Sequence, residues 1–272
     1  MSGQAASPIR DALDRAADRD RPIDLWWRDD DAVAHTPALE RLLAISARTG
    51  CPVAVAAVTA RVERSLVDRL AAETDVWVLA HGLHHANHAP TDEKPAEFGP
   101  HRPVAQAAAE LGQAASLARA TFGPRAAPVF VPPWNRISPH LCAALPGAGF
   151  RALSASGAPT GRAGPGLPRI DIHLDPVDWR GTRSLAPPDR LAAAARAAIA
   201  AGSTALGLLT HHLVFDEALW GFTEAVLEMA SAHPAVRLRR IDELLPGPEP
   251  TFAPATAHAR DGRRQAHPEL AP

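Results

Sequence analysis

Ile23-Asp24-Leu25-Trp26-Trp27 runs without a break into Arg28-Asp29-Asp30-Asp31, and this stretch decides how the rest of the chain is read. A β-rich apolar run ends in four charged residues, so a strand delivers carboxylates to its carboxyl end. The pattern recurs downstream. Val76–Ala80 ends at His81-Gly82-Leu83-His84-His85, Val129–Val131 at Pro132-Pro133-Trp134-Asn135-Arg136, and Thr204–Leu209 at Thr210-His211-His212. Pro52–Val58 is an apolar run short enough for a fully buried strand, and Ile170–His173 and Val236–Leu238 are further strand candidates. Helical stretches lie between them. Thr36 before Pro37 is a helix start, with Thr as N-cap and Pro at the first position, and Leu39, Leu42, Leu43 and Ile45 supply the buried face. Ser65–Glu73, Val104–Phe122, Pro139–Leu145, Asp189–Ala201 and Asp216–Ala232 also read as helices. Strand and helix in alternation argue for an α/β fold of parallel βαβ units. Seven or so units closing into a distorted (β/α)7-type barrel fit 272 residues better than an open sheet with a second domain.

Composition bounds the function. A formal charge of −2 gives no reason to expect nucleic acid or an anionic membrane as partner. No apolar run approaches the ~18–20 residues of a membrane span. The opening stretch lacks the apolar segment of a secretory signal, so a cytoplasmic protein is expected. Cys51 and Cys142 are the only cysteines, which excludes a disulfide framework and a thiolate zinc site. Residues 1–22 read as a helical extension with Ile9, Leu13 and Ala16 on one side, 23–245 as one catalytic domain, and 246–272 as a disordered Pro/Ala/charged tail. His258 and His267 are therefore discounted as ligands. Residues 154–168 form a Gly/Pro loop. Oligomeric state is not legible.

In a β/α barrel the carboxyl ends of the strands converge on one face. Taken singly, each polar cluster has a bland reading: a solvated turn for the aspartates, surface histidines four apart, a rigid Pro-Pro turn with a packed Trp, a core histidine at 211. Three adjacent carboxylates repel, however, and keeping them at a buried strand end calls for a cation or an arginine. Gly82 lets the chain turn tightly after His81 and aim both rings at one point. Two imidazoles and one carboxylate form the ligand set of an open catalytic Zn²⁺ site.

Leu25–Ala32, the His81/His85 pair, Pro132-Pro133-Trp134, Asp175-Pro176-Val177-Asp178-Trp179 and Leu208-Leu209-Thr210-His211 resemble, in order, five motifs of the polysaccharide deacetylases, the NodB-homology or carbohydrate esterase family 4 group. The resemblance spans about residues 23–240. It is closer to a divergent branch carrying R-x-D-D, H-G-x-x-H-x-N-H, E-F-G-x-x-R and F-x-P-P-W-N-R, here Arg28–Asp31, His81–His88, Glu97–Arg102 and Phe130–Arg136. The resemblance implies a metal-dependent hydrolase that removes an acetyl or similar acyl group from an N-acylated sugar or related amide, with a glycan or small molecule as substrate. It makes Asp30 the general base and Asp31 a metal ligand with His81 and His85; a register one residue earlier would assign Asp29 and Asp30 instead. His211 matches the catalytic acid and Asp178 the carboxylate that tunes it. Trp134, Asn135, Arg136 and Trp179 are expected to line the substrate pocket, with His84 and His88 as supporting groups. The metal implied is divalent, zinc first. One position departs: the arginine that orients the base in the classical third motif is replaced by Phe130 or Val131, leaving Arg28, Arg102 and Arg136 as substitutes. That departure supports the rival expectation, an inactive metal- and carbohydrate-binding protein on the same fold.

Overall fold

The computed structural model describes residues 2–17, 22–156, 162–164, 167–203 and 205–247. Nine strands and eight helices are seen among them. The strands are β1 (Ile23–Ala32), β2 (Val53–Ala57), β3 (Val76–His81), β4 (Ala126–Val131), β5 (Ala152–Leu153), β6 (Arg162–Gly164), β7 (Leu167–Pro168), β8 (Leu206–Thr210) and β9 (Val236–Leu238). The helices are α1 (Ser2–Ala17), α2 (Pro37–Thr49), α3 (Arg64–Leu70), α4 (Val104–Phe122), α5 (Pro139–Cys142), α6 (Pro188–Ala200), α7 (Glu217–Ala232) and α8 (Ile241–Leu244). Helix α2 starts as its sequence predicts, with the Thr36 hydroxyl accepting from Leu39 N–H at 3.1 Å. Asp216 caps α7 in the same way.

The sheet is parallel, in the order β5-β4-β3-β2-β1-β8, with β9 added on β1. It curls into a half-barrel. The open side is spanned by residues 169–174 through isolated parallel bridges, Leu153 to Arg169 and Ser156 to Ile172 on one side and Leu174 to Leu208 on the other. A full strand was expected over Ile170–His173. Side chains interrupt the ladder there. Asp171 Oδ1 accepts from Ala155 N–H at 3.0 Å, and His173 Nδ1 accepts from Gly207 N–H at 3.1 Å, so two donors that would serve a ladder are spent on side chains. The Gly/Pro loop contains the short antiparallel pair β6–β7; residues 157–161 and 165–166 of it, and 248–272 of the expected tail, lie outside the described residues.

Alternation along β1 sorts its side chains between two cores. Trp26 joins the barrel interior with Ala54, Leu79, Val129, Ile172 and Leu209, closed below by Ile241 of α8. Leu25 and Trp27 join the outer layer under the helices. Helix α1 belongs to that layer: Ile9 and Leu13 are fully buried and the helix packs on α6 and α7. Ala16's side chain lies outside the described set. No described helix is long and apolar enough to cross a membrane.

Candidate metal centre

The alternation continues into the charged end of β1 and separates the aspartates. Arg28 and Asp30 share a face, both fully buried. Arg28 Nε lies 2.9 Å from Asp30 Oδ1, and Arg28 Nη2 donates to Asp30 Oδ2 at 3.0 Å. The guanidinium is itself fixed by Ser154 Oγ (2.7 Å) and Asn135 Oδ1 (2.7 Å). Of the three arginines able to stand in for the missing one, Arg28 is the one on Asp30; Arg102 pairs with Glu110, and Arg136 donates to the Pro95 carbonyl. Residues two apart on a strand face the same way, and that spacing was the signal for the Arg28–Asp30 pair.

Asp31 breaks the alternation by a left-handed backbone, φ 73°. Its Oδ1 lies 3.1 Å from His81 Nε2 and 3.2 Å from His85 Nε2. These three donor atoms lie within 4.8 Å of one another, the one such group among the described residues. Their chemistry fits a divalent cation. His81 Nδ1 is 3.2 Å from the Val131 carbonyl, which only accepts, so Nδ1 carries a proton and a neutral His81 turns its Nε2 lone pair toward Asp31. A lone pair facing a carboxylate calls for a proton or a cation between them. Burial works against ionisation of Asp31, but with protons rather than a cation in that gap, hydrogen bonds donated by His81 and His85 outweigh it and hold its carboxyl well below the usual range. Burial also opposes the charge on His81, yet Asp30 and Asp31 hold that imidazole above its ordinary value.

The turn carrying the two histidines is built around Glu97, a residue the sequence left without a role. Its buried carboxylate accepts from Leu83 N–H at 3.2 Å and His84 N–H at 2.7 Å. Gly82, at φ +63°, is required twice: for the left-handed backbone, and because a Cβ there would sit 2.0 Å from Glu97 Oε2 and 2.6 Å from Pro133 Cγ. His84 and His88, expected in the pocket, are exposed. Trp134 stands over His85, ring centroids 4.2 Å apart. Asn135 accepts from Arg28 through its Oδ1, and both Trp134 and Asn135 have left-handed backbones.

His211 faces this group from the end of β8, with Nε2 4.0 Å from Asp30 Oδ2. Trp179 packs edge-on against it at 4.8 Å and is 38% exposed. The expected bond from Asp178 to His211 is not made. Asp178 instead receives Arg190 Nη1 of α6 at 3.2 Å and, within its own turn, Thr182 N–H at 3.3 Å. Asp175, in the same turn, reaches His211 only through Trp179. Burial pushes Asp175 up, opposed by the charge of His211 and by the Trp179 indole N–H, which donates to it at 2.7 Å. Asp29 faces the other way from Asp30. It accepts from Thr210 Oγ1 (2.6 Å), His212 N–H (3.0 Å) and His212 Nδ1 (2.5 Å). Burial opposes a charge on His212, but Asp29 outweighs it and holds the imidazole above its ordinary value.

No protein-family model matches the sequence, and no curated protein matches it. Solved structures do. A Mycobacterium smegmatis protein described as a polysaccharide deacetylase aligns with a TM-score of 0.58 at 15% identity, covering 82% of this chain and 89% of that one. The peptidoglycan deacetylase PdaC of Bacillus subtilis aligns with a TM-score of 0.50 at 13% identity, covering 82% and 90%. The parallel curled sheet and its order, found in a chain of such low identity, give this protein the NodB-type fold of the polysaccharide deacetylases, in a divergent form.

Proposed function

We propose that this chain is a metal-dependent deacylase acting on an N-acylated sugar or a related amide. The observation that carries the reading is the meeting of Asp31 Oδ1, His81 Nε2 and His85 Nε2 beside Asp30 and His211 at the carboxyl ends of the strands. The deacetylase names of the structural neighbours support the acyl class. A divalent metal held by Asp31, His81 and His85, zinc first, would supply Lewis acidity toward the acyl oxygen and a water. Asp30, oriented by Arg28, takes the proton of the attacking water. His211, whose Nε2 lies 4.0 Å from Asp30 Oδ2 under the edge of Trp179, gives a proton to the departing amine. The Asn135 and Arg136 N–H groups are spent on the Pro132 and Pro133 carbonyls, so the Trp134 N–H is the candidate donor to the developing oxyanion.

The test is elemental analysis of the purified protein beside His81→Ala and His85→Ala, with acetate release measured for Asp30→Asn. The histidine variants should lose the metal, and Asp30→Asn should keep it and lose turnover. Full metal occupancy in both histidine variants would remove the ligand set. A wild type that binds metal and sugar but releases no acetate would be a binding protein on this fold.

A further inference from the structure

His211 is not held by its own ring. Its Nδ1 is buried without a hydrogen-bond partner, and its Nε2 is too far from Asp30 to bond. The ring's other neighbour in the site is the edge of the half-exposed Trp179. Its place is therefore set through the backbone, and both chain neighbours of His211 are tied to one carboxylate. Thr210 Oγ1 donates to Asp29 Oδ2 at 2.6 Å, His212 N–H donates to the same oxygen at 3.0 Å, and His212 Nδ1–H donates to Oδ1 at 2.5 Å. The proton directions agree along the chain of bonds, because the Trp27 indole N–H donates to the Thr210 hydroxyl at 2.9 Å and leaves that hydroxyl's proton for Asp29. Asp29 is fully buried and sits opposite Thr210 in the β1–β8 register, so the brace spans two strands that are already paired.

We infer that Asp29 is a positioning residue for His211: the first of the three aspartates clamps residues 210 and 212 and so fixes the imidazole between them. The inference rests on the reading of His211 as proton donor to the leaving group. A donor misplaced by about 1 Å costs on the order of 10²-fold in rate, so the brace has a kinetic consequence.

Leaving-group dependence separates this role from a merely structural one. The benzyloxide of benzyl acetate must be protonated as it departs, whereas the 4-nitrophenolate of 4-nitrophenyl acetate leaves without help. Both esters are assayed with the zinc-loaded protein, and thermal unfolding is recorded for every variant. His211→Ala should lower benzyl acetate turnover and spare 4-nitrophenyl acetate. Asp29→Ala should do the same, by roughly 10–10²-fold on the first ester and within a few-fold on the second. Thr210→Ala, which removes one of the three bonds, should shift the ratio in the same direction by less, and keeps the comparison open if Asp29→Ala does not fold. Asp29→Asn should restore the ratio, because its amide oxygen still accepts from residues 210 and 212 and its NH₂ can donate to a neutral His212 Nδ1. Parallel losses on both esters in Asp29→Ala and Thr210→Ala, or no change in the ratio, would overturn the brace. A ratio unchanged in His211→Ala would instead overturn the acid role of His211 itself.

Discussion

Replacing Gly82 with alanine separates the cost of a strained backbone from the cost of breaking the turn that carries both histidines. The φ of +63° alone costs on the order of 1–2 kcal/mol for a residue with a Cβ. The new methyl would also stand 2.0 Å from Glu97 Oε2, with Pro133 Cγ and Cδ at 2.6 and 2.8 Å closing the other side. The glutamate must yield, and it then gives up the Leu83 and His84 amides. Hydrogen bonds to a buried charge are worth about 1.5–3 kcal/mol each, so losing both brings the total to roughly 4–8 kcal/mol. Gly50 is the matched control: its φ is +66° and nothing lies within 4 Å of a built Cβ, so Gly50→Ala should cost the backbone strain alone. At ~2–4 °C per kcal/mol, Gly82→Ala should lower Tm by about 10–30 °C and Gly50→Ala by about 2–8 °C. Zinc affinity should fall roughly 10–100-fold in Gly82→Ala and hold in Gly50→Ala, because the Glu97-bonded turn orients His81 and His85. Differential scanning fluorimetry with a zinc titration measures both. Equal Tm losses in the two variants, with equal zinc affinity, would refute the argument that Glu97 supports the histidine turn.

Arg28→Met strands Asp30 in the barrel interior without its cation and should cost about 3–5 kcal/mol in urea unfolding; Arg28→Met with Asp30→Asn should recover part of it, and a double-mutant cycle with no coupling would show that the pair does not act as a unit. His212, held above its ordinary pKa by Asp29, contributes stability that is complete below about pH 6.5 and is lost as pH rises through the raised value. Unfolding free energy measured in zinc, where His81 is committed, should therefore decline from about pH 6.5 upward, and Asp29→Asn should flatten that decline; a slope unchanged in the variant would assign it to another group.

The parts of the structure legible in the sequence are those set by local rules. The Thr36-Pro37 start, the buried face of α2 and the full length of α4 follow from capping and periodicity. The meeting of a β1 carboxylate with His81 and His85 follows from strand ends sharing one face of the barrel, while Asp31 is singled out among the three aspartates by the family resemblance. What escaped depends on which neighbour takes a polar group. The ladder over residues 169–174 is broken because Asp171 and His173 bond to backbone N–H groups of adjacent strands, a choice no hydropathy pattern records. Asp175 and Asp178 lie three apart in one turn, and only the fold decides that Asp178 goes to Arg190 while Asp175 accepts from the Trp179 indole that packs on His211. Periodicity alone does not assign Asp29, because Asp30 and Asp31 are also consecutive in β1 and meet in one site only through the left-handed backbone of Asp31.

Asp31, His85, Trp134 and Asn135 all hold left-handed backbones, and among the described residues the one other non-glycine to do so is Arg183. At on the order of 1–2 kcal/mol apiece, their combined strain is comparable with the ~5–15 kcal/mol by which a whole domain is stable. A protein of this kind is tuned against its own melting temperature. Selection for heat resistance alone, with no demand for turnover, should relieve these positions early, through glycine at Asn135 or Asp31 or a rebuilt Trp134 turn. The melting point would then rise as the geometry around the histidines loosens, so heat-tolerant isolates from such a screen would be the place to look for a folded barrel that no longer works.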